Sequence, residues 1–94
     1  MNDELLNEKF LEDLEAYASL MFTKAEIAII LEIPLPKMME ALADHPASLG
    51  AFQKGRLKME ALIRKGIFDL AQNGSSPAQT FAMKLIENAK ADDL

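Results

Sequence analysis

The 94-residue sequence contains no cysteine and no tryptophan, and it has one histidine and one tyrosine. Without cysteine there is no disulfide framework, no thiolate metal site and no thiol nucleophile, so folding rests on packing alone and a cytoplasmic setting is expected. A catalytic zinc site needs several ligands, which the lone His45 cannot supply. That histidine stands between Asp44 and Pro46, where the ordinary role is a turn or a cap. Ser75 and Ser76 have no second histidine to complete a triad, and there is no G-x-x-x-x-G-K-[ST] loop for ATP. The chain is therefore expected to be no enzyme and to need no cofactor.

Long apolar runs are also missing. The longest is Ile27–Leu31, far short of the roughly 20 residues that cross a bilayer, and the opening MNDELLNEKF is acidic rather than leader-like, so no membrane association is expected. Positive charge is scarce: 10 Lys and Arg stand against 15 Asp and Glu, for a net charge of −5. Bulk charge cannot coat nucleic acid here, because non-specific binding comes from cations displacing counterions. Any DNA contact has to be local.

What is present is apolar material at helical spacing. Half of the residues are hydrophobic, enough to close a core, and no stretch alternates with the period of two that a half-exposed strand requires. The reading is an all-α fold of about five helices in a single domain, 1–94, with residues 1–45 as an N-terminal half and 46–94 as a long helix plus a partner helix. The first helix is expected over about Asp3–Met21, with Leu6, Phe10, Leu14, Tyr17 and Met21 on one stripe and acids elsewhere. The second starts at Thr23, with Glu26 as capping-box partner and Phe22 and Ile27 as staple. Pro34 and Pro36 break the chain before a third helix over about Pro36–Ala43. A fourth runs from about Ala47 to Gln72 and stops at Asn73-Gly74. Ser76, Pro77 and Gln79 open a fifth that ends near Ala89, with Lys90–Leu94 frayed. The expected core is Leu6, Phe10, Leu14, Ile27, Ile30, Leu31, Met38, Leu42, Phe52, Met59, Ile63, Leu70, Phe81 and Leu85.

The long helix carries two apolar rows. Phe52, Met59, Ile63 and Leu70 share one arc with Gly55 and Gly66, whose helix cost of about 1 kcal/mol each suggests a backbone passing close by. Leu57, Ala61 and Phe68 form a second row, expected to meet either the fifth helix or another subunit, which makes it the candidate oligomer interface. Charge is concentrated on the same helix. Acids outnumber Lys9, Lys24 and Lys37 up to residue 53, whereas residues 54–65 hold Lys54, Arg56, Lys58, Arg64 and Lys65 against Glu60 alone. Lys54, Lys58 and Lys65 share a stripe suited to a phosphate backbone, to the acidic first helix of a neighbouring copy, or simply to solvent.

Thr23–Ala43 reads as a helix-turn-helix. Ala28 lies where the two helices cross, Ile33 plugs the turn, Met38 supports the second helix, and Glu32 stands where glycine is usual. It is followed by GAFQKGRLK (50–58), IFDLAQNG (67–74), SPA (76–78) and AMKL (82–85). In that order, over about residues 11–88, the chain resembles phage terminase small subunits and related phage-type helix-turn-helix proteins. The resemblance implies a non-enzymatic subunit that recognises duplex DNA, assembles as a homo-oligomer and passes viral DNA to a separate large ATPase-nuclease subunit. It also implies that Leu35, Pro36, Lys37, Met39, Glu40 and Ala43 lie toward DNA. Of these only Lys37 is a phosphate ligand, and no Arg, Asn or Gln is present for bidentate base reading. The DNA-binding candidates are thus Lys37, Lys54, Arg56, Lys58, Arg64 and Lys65. The competing reading is a protein-binding helical adaptor or small regulator-like module.

Overall fold

The computed structural model describes residues 7–93. It is all-α, with five helices among those residues: α1 (Glu8–Ser19), α2 (Lys24–Ile30), α3 (Leu35–Asp44), α4 (Pro46–Gln72) and α5 (Ser76–Asp93). The expected start of the first helix at Asp3, the core residue Leu6 and the last residue, Leu94, lie outside the described residues. The chain divides into two compact units, one extending to Met59 and the other beginning at Glu60, inside α4.

The first unit follows from local signals. Asn7 caps α1 by accepting from the Phe10 amide at 2.7 Å. Thr23 and Glu26 form the reciprocal box, with the Glu26 amide donating to Thr23 Oγ1 at 3.1 Å and the Thr23 amide donating to Glu26 Oε1 at 2.8 Å. α2 ends in a turn in which the Ile33 amide reaches back to the Ala28 carbonyl at 2.8 Å and the Glu32 amide to that of Ile29 at 3.1 Å. This closure needs a left-handed residue, and Glu32 adopts it at φ 57. Met21 does the same after α1, at φ 67. α3 begins one residue earlier than expected, with Pro36 in its first turn. The His45 carbonyl then accepts from the Ser48 and Leu49 amides and starts α4 at Pro46.

The core of this unit is Phe10, Leu14, Ala18, Ile27, Ala28, Met38, Leu42 and Phe52, with Leu31, Ile33 and Phe22 half-buried against it. Ile30 departs from expectation. It lies at the outer side of a helix only seven residues long, next to an Ile29 that is 77% exposed, so the apolar run Ile27–Leu31 is buried on one side. Gly55 meets its expected neighbour: a β-carbon built there would collide with the Glu15 carbonyl oxygen and sit 3.0 Å from the Ala18 β-carbon.

In the second unit α4 ends at Gln72 and is closed by Gly74 (φ 98), where the Ser75 amide donates to the Leu70 carbonyl and the Gly74 amide to that of Ala71. Ser75, not Ser76, caps α5, accepting from the Ala78 amide at 3.4 Å. Gln79 does not close a box; its Nε2 donates instead to the Ala71 carbonyl at 3.0 Å. The expected fraying from Lys90 is not seen, since α5 stays helical to Asp93. Ala78 and Ala82 are buried here, and Ile67, Phe68, Ala71, Leu85 and Ile86 are half-buried. Ile63, Leu70 and Phe81, expected in the core, are each more than half exposed (58, 58 and 61%), so the apolar spacing that placed them there is not matched by burial. Gly66 likewise has nothing within 4 Å of where a β-carbon would stand.

Candidate nucleic-acid interface

α3 is split by burial into two sides. Met38, Ala41 and Leu42 face the core, while Leu35, Pro36, Lys37, Met39, Glu40 and Ala43 are all exposed. A four-residue period places the inner set on one arc, so the outward set, including Lys37, is presented by geometry alone. Leu35 and Met39 line a shallow groove whose other walls come from Thr23, Lys24, Phe52 and Arg56.

Two cations meet at one ring in that groove. Arg56 Cζ stands 4.7 Å and Lys24 Nζ 5.5 Å from the centroid of Phe52. Arg56 Nη2 also donates to the Phe22 carbonyl at 2.9 Å, which fixes the guanidinium without neutralising it. The ion pairs formed among the described residues leave out Lys24, Lys37 and Arg56. Lys24 was not singled out by sequence reasoning; nothing in its local spacing marks it, and only the approach of α2 to Phe52 brings it beside Arg56.

The remaining basic candidates are engaged within the chain. Lys58 Nζ donates to Glu15 Oε2 at 2.9 Å, and Lys54 Nζ lies 3.9 Å from Glu15 Oε1. The close approach at Gly55 causes this: with the α1 backbone against that glycine, the Glu15 side chain emerges between the lysines that precede and follow it. Hydrogen bonding from Lys58, reinforced by the charges of Lys58 and Lys54, holds the Glu15 carboxyl below its ordinary range against a smaller opposing effect of desolvation. The acidic helix that meets the lysine stripe is thus the chain's own. Further along α4, Arg64 pairs with Glu60 at 2.8 Å and Lys65 with Asp69 at 3.0 Å, both pairs exposed and one turn apart. Lys65 therefore shares the stripe of Lys54 and Lys58 but not their carboxylate.

The expected oligomer row varies in exposure along its length. Leu57 is 62% exposed and Ala61 is exposed, whereas Phe68 is half-buried. Among the described residues no three His, Asp or Glu side chains cluster as metal ligands, and no helix is long and apolar enough to cross a membrane. Comparison with protein-family models, with curated proteins and with solved structures finds no match for this chain.

Proposed function

We propose that this protein is a non-enzymatic DNA-recognition subunit acting as a homo-oligomer in the cytoplasm, in the manner of the phage terminase small subunits that it resembles, and that it hands viral DNA to a separate packaging ATPase-nuclease. The observation that carries the reading is the outward side of α3, exposed along its length after a capped helix and a left-handed turn, with Lys37 on it and with Lys24 and Arg56, in no ion pair among the described residues, beside it. Contacts of this kind hold phosphates and set orientation, and repeating them across subunits raises affinity through effective concentration. The test is duplex DNA binding across a salt series. Affinity is expected to fall steeply with salt, and Lys24→Glu and Lys37→Glu are each expected to weaken it.

The adaptor reading is favoured by a different observation. Lys54, Lys58, Arg64 and Lys65 are paired with carboxylates of the same chain, and Leu35 and Met39 put apolar surface where a DNA reader would carry polar groups. Absent or salt-insensitive DNA binding supports that reading instead.

A further inference from the structure

We infer that the second unit binds a second copy of this chain through an antiparallel crossing of α4 centred on Gly66. The inference deepens the assembly half of the proposal above and stands independently of DNA binding. At 100° per residue, Leu62, Ile63, Gly66 and Leu70 fall within an arc of about 100°, the width of a buried helix face. All are exposed, and Leu62, at 63%, is as bare as Ile63 and Leu70. This is the same arc that carries Phe52 and Gly55 into the core earlier in the helix, so its sequence is that of a packing surface.

Gly66 is the informative member. It sits in a helix interior at a cost of about 1 kcal/mol against alanine, without the excuse of a turn or a positive φ. Gly55, on the same arc, is occupied by the backbone of another helix; Gly66 has the same setting with the visitor missing. Gly50 is equally open, but it lies on the other apolar row, with Leu57, Ala61 and Phe68, and not on this arc.

Three features select a twin as the visitor. First, the buried residues of this unit are Ala78 and Ala82, too little apolar burial for a short helical hairpin unless association supplies more. Second, the face is self-complementary: a gap at Gly66 is flanked by Ile63 on one side and Leu70 on the other, so a twofold-related copy offers bulk to each flank and a gap to the gap. Third, Lys65 and Asp69 lie on one flank of this face. An antiparallel twin presents them in reverse order, base against acid, whereas a parallel one would bring Lys65 toward the flank carrying Arg64.

The absence of cysteine makes the contact directly testable. Helix axes about 8–10 Å apart, with Cα atoms about 2.3 Å from each axis, leave facing Cα atoms about 3.4–5.4 Å apart, the wider of which lie within the span of a disulfide. Under mild oxidation Gly66→Cys is expected to convert mostly to covalent dimer, with Gln53→Cys, exposed on α4 away from both apolar rows, remaining uncrosslinked as the control. By native mass spectrometry the wild type is expected to hold an even number of subunits, and Leu70→Glu to halve its mass with the helical signal unchanged. A wild-type monomer at high concentration, an odd-numbered assembly, or an oligomer in which Gly66→Cys does not crosslink overturns the inference. Because none of these readouts involves DNA, failed DNA binding with successful crosslinking strikes only the recognition proposal.

Discussion

The main-chain carbonyl of Glu15 fills the space that a β-carbon on Gly55 would need. One missing methyl group thereby sets both a helix–helix distance and the electrostatics above it, since the Glu15 carboxylate is delivered to Lys58 and Lys54. Gly55→Ala should gain up to about 1 kcal/mol of helix propensity but must move a backbone, a strain of about 1–3 kcal/mol or more. Net destabilisation is expected, read as a lower urea midpoint for the first unit. A midpoint equal to or above wild type would show that α1 shifts freely.

Removing the carboxylate should also act on binding. Glu15→Gln frees Lys54 and Lys58, and duplex DNA affinity is expected to rise with a steeper salt dependence if those lysines reach phosphate. Lys54→Glu, Lys58→Glu and Lys65→Glu together are expected to lower it. Unchanged affinity in both variants would remove the lysine stripe from the interface and leave Lys24, Lys37 and Arg56 as its cations.

The lowered Glu15 carboxyl also fixes the direction of a pH effect. A carboxyl that holds its proton less tightly folded than unfolded contributes stability above its ordinary range, and that contribution is lost as pH falls through the folded value. Acid titration of the wild type should therefore show a loss of stability below the ordinary carboxylate range that is smaller in Glu15→Gln. Equal acid sensitivity in the two proteins would contradict the assignment.

Glu32 holds a left-handed conformation that costs a residue with a side chain about 1–2 kcal/mol. Glu32→Gly should relieve it, with part of the gain lost to the greater freedom of glycine in the unfolded chain. A rise in stability of about 0.5–1 kcal/mol is expected by chemical denaturation. A loss would indicate that the Glu32 side chain contributes more than its backbone costs.

Ser75→Ala and Ser76→Ala separate the observed cap from the one expected. Losing the hydrogen bond to the Ala78 amide should cost about 0.5–1 kcal/mol at Ser75, the low end because 3.4 Å is long, whereas Ser76→Ala should be nearly neutral. Thermal melts of the two variants decide it.

Much of the architecture was legible because its signals are local. Thr23 and Glu26 lie within one turn, Asn73-Gly74 ends a helix by its own backbone preference, and Glu32 stands in a turn that needs a left-handed residue. What could not be read is coverage. Periodicity places Phe52, Gly55, Ile63, Gly66 and Leu70 on one arc, but whether another element lies over each point depends on where the rest of the chain goes. Phe52 and Gly55 are covered, while Ile63, Gly66 and Leu70 are bare. The lysine stripe was legible for the same reason, and its neutralisation was not, since Glu15 stands 43 residues from Lys58. The one-residue error at Ser75 has a smaller cause: adjacent serines offer the same cap, and only the backbone decides between them.

That separation of 43 residues also bears on biosynthesis. α1, α2 and α3 meet through short connections and can associate as they leave the ribosome, but Ser48, Phe52 and Gly55, which complete their packing, are translated later. A nascent chain halted after Asp44 would display the apolar sides of Leu14, Ile27 and Met38 without their lid. Such a truncated product is expected to be a chaperone client and a target for proteolysis, and to become resistant once elongation passes Met59.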